Sequence, residues 1–224
     1  MKKSLIFILI IVILFIIIEG DWLYSGVTVK TGLAPSIKLK TPSMPKTLDG
    51  KKVAMIIAFK DFRDEEYFVP KEALEKAGAE IKTASNKMGR AIGADGGDTE
   101  VDLLVSEINP AEFHAVVFIG GPGCLENLDN ESSYRVIKEA VSQNKVLASI
   151  CISPVILAKA GVLEGKKATV WSSVMDRSPV RILKDNGAIY QDEDVVVDGK
   201  IITGNGPGVA KEFGETIVEV LTSK

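Results

Sequence analysis

Residues 146–161 read VLASICISPVILAKAG, and the fold can be worked out from this stretch. Val146–Ile150 is short and nearly continuous in apolar character, as expected of a strand buried on both faces. Pro154 suits the first turn of a following helix, where its missing N–H costs nothing. Cys151 lies between the two, on a tight strand-to-helix turn of the kind that holds a nucleophile away from the backbone. Amides at the helix start and the helix dipole favour a thiolate there. The competing reading is an inert buried cysteine, since free cysteines are among the most buried residues.

The same strand-then-helix alternation runs outward in both directions. VAMIIAF (53–59), Ile81–Ala84 and AVVFIGG (115–121) read as strands. Between the first two, KDFRDEEYFVPKEALEKAGAEI (60–81) predicts a helix with Pro70 in its first turn and Gly78 as its stop. SSYRVIKEAVSQN (132–144) is amphipathic. ATVW (168–171) predicts a strand, VVVDGKIITG (195–204) a hairpin, and GPGVAKEFGETIVEVL (206–221) a closing helix. The fold class is therefore α/β, with a mostly parallel sheet and helices on both faces.

In such sheets reactive groups gather beyond the C-terminal strand ends. Three segments fall there: KDFRDEE, GGPGC and CISP. Gly120, Gly121 and Gly123 let backbone amides approach a ligand, as an oxyanion hole requires. A carboxyl beside a thiol is useful when it is protonated and donates; as an anion it raises the thiol pKa. Glu66, Asp61, Asp64 and Glu65 all compete for that role. Cys124 follows the glycine loop and is a candidate redox partner of Cys151, or simply a small packing residue.

Composition narrows the function. The 224 residues carry a net charge of −3, with 25% charged and 46% hydrophobic. This is an ordinary globular balance and argues against nucleic-acid binding. Two cysteines and one histidine, His114, are too few for a disulfide framework or a cysteine-based zinc site, and no metal or organic cofactor is implied.

The ends of the chain differ in charge. Residues 1–48 hold six basic and two acidic residues, a balance of +4; residues 49–224 hold 21 basic and 28 acidic, a balance of −7. Leu5–Ile18 is an unbroken apolar run of fourteen residues behind Lys2 and Lys3. As a helix it spans about 21 Å, short of the ~30 Å hydrocarbon core. No small-x-small cleavage site lies close behind it, and Trp22 and Tyr24 suit an interface. The reading is an uncleaved N-terminal anchor with the body outside the cytoplasm; secretion after signal cleavage is the alternative. Residues 1–24 are thus assigned as the membrane segment. Residues 25–48, interrupted by Pro35, Pro42 and Pro45, are a linker, and 49–224 the α/β domain.

Four stretches in order, FRDEEYFVPKEALEKAGAEI (62–81), VDLLVSEINPAEFHAVVFIGGPG (101–123), VLASICISPVILAKAGVLEGKKATVW (146–171) and DGKIITGNGPGVAKEF (198–213), together resemble the ThiJ/PfpI superfamily. This group contains PfpI-type cysteine peptidases and Parkinson-linked deglycase-like proteins. The resemblance covers about residues 51–222. It implies a flavodoxin-like sandwich of the class I glutamine-amidotransferase type, usually a homodimer. It also implies Cys151 as nucleophile, Glu66 as the glutamate that hydrogen-bonds the thiol, and the amides of Gly121 and Ile152 as the oxyanion hole.

One departure matters. PfpI-type peptidases carry histidine directly after the cysteine, where this chain has Ile152, and ATVWSSVMD (168–176) holds no histidine either. His114 precedes its strand and is expected at the opposite end of the sheet. Ser153, Ser172, Ser173 and Asn205 are candidate polar substitutes. The resemblance therefore implies an enzyme that uses the cysteine on a small carbonyl compound. A thiol redox sensor, a peptidase disfavoured by the missing histidine, and a non-enzymatic binding module are the alternatives.

Overall fold

The computed structural model describes residues 47–223. The apolar run 5–18 and most of the linker lie outside them. Among the described residues no helix is long and apolar enough to cross a membrane. In chain order the elements are β1 (Lys52–Ile57), β2 (Lys60–Phe62), α1 (Asp64–Lys76), β3 (Glu80–Ser85), β4 (Gly89–Gly93), β5 (Asp98–Val101) and β6 (Leu103–Leu104). There follow β7 (Ala115–Phe118), α2 (Cys124–Leu128), α3 (Glu131–Ser142), β8 (Val146–Ile150), α4 (Pro154–Lys159), β9 (Lys167–Ala168) and α5 (Ser178–Asp185). Last come β10 (Ile189–Tyr190), β11 (Val195–Asp198), β12 (Ile201–Gly204) and α6 (Ala210–Thr222).

A seven-stranded sheet has the order β11-β12-β8-β7-β1-β3-β6, parallel throughout except for the β11–β12 hairpin. The continuous apolar runs follow from burial on both faces. Val53, Met55 and Ile57 of β1 point to one layer with Tyr67 and Leu74 of α1 and Phe213 and Ile217 of α6. Ala54 and Ile56 point to the other, with Val136 and Ile137 of α3 and Val155 and Leu157 of α4. This is the flavodoxin-like arrangement expected from the alternation. Leu48, placed with the linker by sequence, is wholly buried in the first layer, and its N–H donates to Ala77 O at 2.8 Å.

Three local readings are corrected. Helix α1 begins six residues before Pro70, so the proline is interior and not in the first turn. The acidic run Asp64, Glu65, Glu66 occupies the first turn instead, where the helix dipole favours negative charge. Pro70, which removes one intrahelical N–H donor, packs closely on Gly214 of α6. ATVW is not a strand of the main sheet. Only Lys167–Ala168 pairs, with β10, and Thr169 N then turns to the side chain of Thr203 at 2.9 Å. The small sheet β2-β4-β5, the short α2 and helix α5 were not predicted, although α5 is amphipathic, with Pro179, Val180 and Leu183 on one buried face.

A Cβ at Gly214 would stand 2.8 Å from Pro70 Cα, a contact with backbone that cannot easily yield. Gly214→Val should therefore lower the unfolding free energy by about 2 kcal/mol, seen as a lower urea midpoint.

Candidate active site

The end of β8 delivers Cys151 to the edge of the sheet in a strained conformation. Its φ is +65°, in the left-handed region that costs a non-glycine residue about 1–3 kcal/mol. The surroundings hold it there. Cys151 N donates to Gly204 O at 2.9 Å, and Trp171 N donates to Cys151 O at 2.8 Å. Below the turn, the buried Ser153 Oγ accepts from Ile150 N at 3.1 Å and lies 2.9 Å from Phe118 O and 2.8 Å from Ser149 Oγ. Ser153, a candidate partner of the thiol by sequence, is thus committed to bracing the elbow from beneath.

The amides of Gly121 and Ile152 face the Cys151 sulfur. Sequence reasoning placed these two amides at an oxyanion hole, and the structure brings both to the thiol. Glu66, on the first turn of α1, is the carboxylate that joins them. It is wholly buried, and the Cys151 thiol and the Gly120 amide are the polar groups that face it, although neither oxygen completes a hydrogen bond of ordinary geometry. Its competitors are elsewhere. Asp64 accepts from Asp95 N at 2.8 Å and Gly97 N at 2.5 Å, while Asp61 and Glu65 are exposed.

The glycine loop exists to permit this approach. A Cβ at Gly120 would lie 2.7 Å from Cys151 Cβ and 2.8 Å from Glu66 Oε2. At Gly121, with φ +110°, it would lie 2.4 Å from Arg63 N. Above the sulfur, Arg63, Pro122, Leu125, Trp171 and Pro207 wall a cleft of 310 Å³. Larger hollows lie beside Asn130 (400 Å³) and between α1 and α6 (780 Å³), but no cysteine lines either.

The remaining candidates do not line the cleft. Cys124 starts α2, is wholly buried and belongs to the opposite layer of the core. Both cysteines are free, and burial pushes the Cys124 thiol well up. Ser172 accepts from Arg177, Ser173 from Asp176 N, and Asn205 donates to Asp194. None of the three lines the cleft. His114 sits before β7, where its Nδ1 accepts from Lys52 N at 3.1 Å. Its carbonyl accepts from Val146 N, so it lies about one five-residue strand, roughly 16 Å, from Cys151. Among the described residues no cluster of three or more His, Cys, Asp or Glu could hold a metal. Arg63 and Trp171 were not singled out from sequence. The only signal was an arginine just ahead of the acidic first turn of α1.

Electrostatics ties the two central groups together. Burial raises Glu66 from 4.5 to about 7, against the opposing pull of the Cys151 thiol, Arg63 and the Gly120 amide. Burial, then the Glu66 charge, pushes Cys151 upward, and the Gly121 and Ile152 amides oppose this. Two such groups cannot readily both ionise, so they titrate as a pair sharing one proton. Of the pair's two one-proton forms, burial and the Glu66 charge favour the thiol with a carboxylate; moving the proton to Glu66 gives a thiolate that faces two amides and a carboxylic acid.

The fold tolerates Glu66 as the acid, so its contribution is complete below about 4.5 and is lost as pH rises through about 7. The wild-type unfolding free energy should lose about 3 kcal/mol from this group between about pH 5 and pH 8. Glu66→Gln should remove that loss. Urea unfolding of both proteins across this range measures the difference, which cancels groups common to the two.

Comparison with known proteins agrees with this geometry. The family model described as DJ-1/PfpI family matches residues 51–220. An uncharacterized protein of Methanocaldococcus jannaschii is 40% identical over 79% of this chain and 85% of its own length. A protein of Pyrococcus abyssi named as a deglycase is 35% identical over 75% of this chain and 98% of its own. The crystal structure of a ThiJ/PfpI domain protein from Brachyspira murdochii superposes with a TM-score of 0.72 at 36% identity, covering 77% of this chain and 97% of that one. With the sheet order, the strained cysteine and these matches together, the chain belongs to the DJ-1/PfpI family.

Proposed function

We propose that the protein is a cysteine-dependent enzyme acting on small reactive carbonyl compounds, in the manner of a glyoxalase or deglycase. The observation that carries this reading is the pairing of a strained, amide-cradled Cys151 sulfur with a buried carboxyl poised at about 7. A general acid with a pKa near the working pH moves protons most effectively. Glu66 can therefore do the proton work for which a peptidase uses histidine. The thiolate adds to the aldehyde carbon and the carbonyl oxygen becomes an alkoxide. The Gly121 and Ile152 amides that steadied the negative sulfur then steady that oxygen. Glu66 gives its proton to the alkoxide, yielding a hemithioacetal, and the resulting carboxylate is a base for the next transfer. The Pyrococcus abyssi relative named as a deglycase supports the same class of chemistry.

Peptide hydrolysis fits less well. No histidine lies near the sulfur, and a 310 Å³ cleft suits a small molecule better than an extended peptide. A redox role has one observation in its favour. Cys151 is 9% exposed at the base of an open cleft, so a molecule as small as peroxide reaches it, whereas Cys124 is wholly buried. Membrane tethering through residues 5–18, with the body outside the cytoplasm, and a homodimeric assembly complete the proposal. The first rests on the apolar run behind Lys2 and Lys3, the second on the family resemblance.

Methylglyoxal consumption by the full-length protein tests the reading. Cys151→Ser should bring the rate to background, and Glu66→Gln should lower kcat by about 100-fold. Turnover that survives in Cys151→Ser would sink it. Peroxide treatment followed by peptide mass spectrometry tests the redox role: oxygen should add at Cys151 and not at Cys124 while the protein is folded.

A further inference from the structure

We propose that Arg63 selects the substrate, and that the cleft takes a small carbonyl compound bearing a carboxylate next to its reactive carbon. This rests on the reading of Cys151 as the nucleophile. Among the described residues Arg63 is the one charged side chain lining the cleft; its fellow lining residues, the nucleophile apart, are glycine or apolar side chains. Its backbone is locked to the oxyanion loop, since Arg63 N donates to Gly120 O at 3.1 Å and Arg63 O accepts from Tyr67 N at 3.2 Å. The guanidinium therefore springs from a point fixed relative to the sulfur and the two amides. Its charge also acts on both Glu66 and Cys151.

The side chain is placed but not used up. Nη1 pairs with Asp95 at 3.1 and 3.2 Å, while Nη2 and Nε have no hydrogen-bond partner among the described residues. The Asp95 side chain is 57% exposed, and an exposed ion pair adds little to stability. Yet Asp95 is held in place, because its own N–H and that of Gly97 donate to Asp64. A fixed carboxylate at the rim thus balances the arginine and leaves an edge of donors, Nη2 and Nε, for an incoming anion. A carboxylate resting on Arg63 leaves the adjacent carbonyl carbon for the sulfur and its oxygen for the Gly121 and Ile152 amides.

Alkylation of Cys151 in the full-length protein by iodoacetate and by iodoacetamide, read by peptide mass spectrometry, tests this directly. In both reagents the thiolate displaces iodide from a methylene carbon. They differ in carrying a carboxylate or a neutral amide next to that carbon, so thiolate reactivity cancels in the rate ratio. The iodoacetate-to-iodoacetamide ratio should be about tenfold higher in the folded protein than in the urea-unfolded one, as a charge-assisted hydrogen bond implies. Arg63→Met should return it to the unfolded value, and Asp95→Asn should raise it further. A ratio unmoved by Arg63→Met, or lowered by Asp95→Asn, overturns the proposal. Should Arg63→Met misfold, Cys124 becomes labelled as well, and Asp95→Asn then decides. A ratio that responds to Arg63 while neither methylglyoxal nor glyoxylate is consumed overturns the carbonyl chemistry but not the anion site.

Discussion

The site depends on one contact: the Glu66 carboxyl and the Cys151 thiol meeting in a space from which a side chain at position 120 is excluded. Each group is costly by itself. A buried carboxyl without a complete set of hydrogen bonds is disfavoured, and so is a cysteine in the left-handed region. A proton shared between them keeps the pair from carrying two charges, and the hydrogen bonds from Cys151 N to Gly204 O and from Trp171 N to Cys151 O hold the strained backbone. The same shared proton is the one that the proposed reaction moves.

The rest of the fold holds that contact in place. Parallel pairing of β7 with β8 and of β8 with β12 sets the ends of three strands side by side. The glycine loop, the elbow and Gly204 O therefore converge. Helix α1 enters from the other side of β1, and its acidic first turn brings Glu66 inward. Close packing of Pro70 on Gly214 sets the depth of α1 against α6. Ser149 and Ser153 occupy the underside of the elbow, so that polar groups that could quench the sulfur are engaged with backbone instead.

The absence of a histidine at the sulfur changes the demands on the remaining groups. In a thiol–histidine pair the imidazole carries the mobile proton. Here the acid–base group at the sulfur is Glu66, raised by burial to about 7. Arg63, at the lip, offers positive charge without a transferable proton. On the proposed reading the cleft separates proton transfer, on its buried side, from charge recognition, on its open side.

Much of this was legible in the chain, because the signals are local. Apolar runs bounded by polar turns marked β1, β3, β7 and β8, and the two-residue turn of the β11–β12 hairpin was equally plain. A cysteine between a strand and a proline-started helix marked the elbow without any tertiary information. Other features depended on contacts between distant segments. Four acidic residues stood near Pro70, and nothing local separated Glu66 from Asp64. Only the packing of α1 against α6 and β3 buried one, beside Gly120 and Cys151, and turned the other toward the β4–β5 turn. The glycines of residues 120–123 read as a permissive turn, but their necessity comes from Arg63, Glu66 and Cys151, which are remote in sequence. The sequence by itself determined the main parallel strands, the longer helices and the elbow that carries Cys151, through periodicity and turn chemistry. Which carboxyl lies beside the thiol, which serines are engaged elsewhere and which arginine lines the cleft were decided by tertiary structure, because burial and charge proximity are properties of space and not of order along the chain.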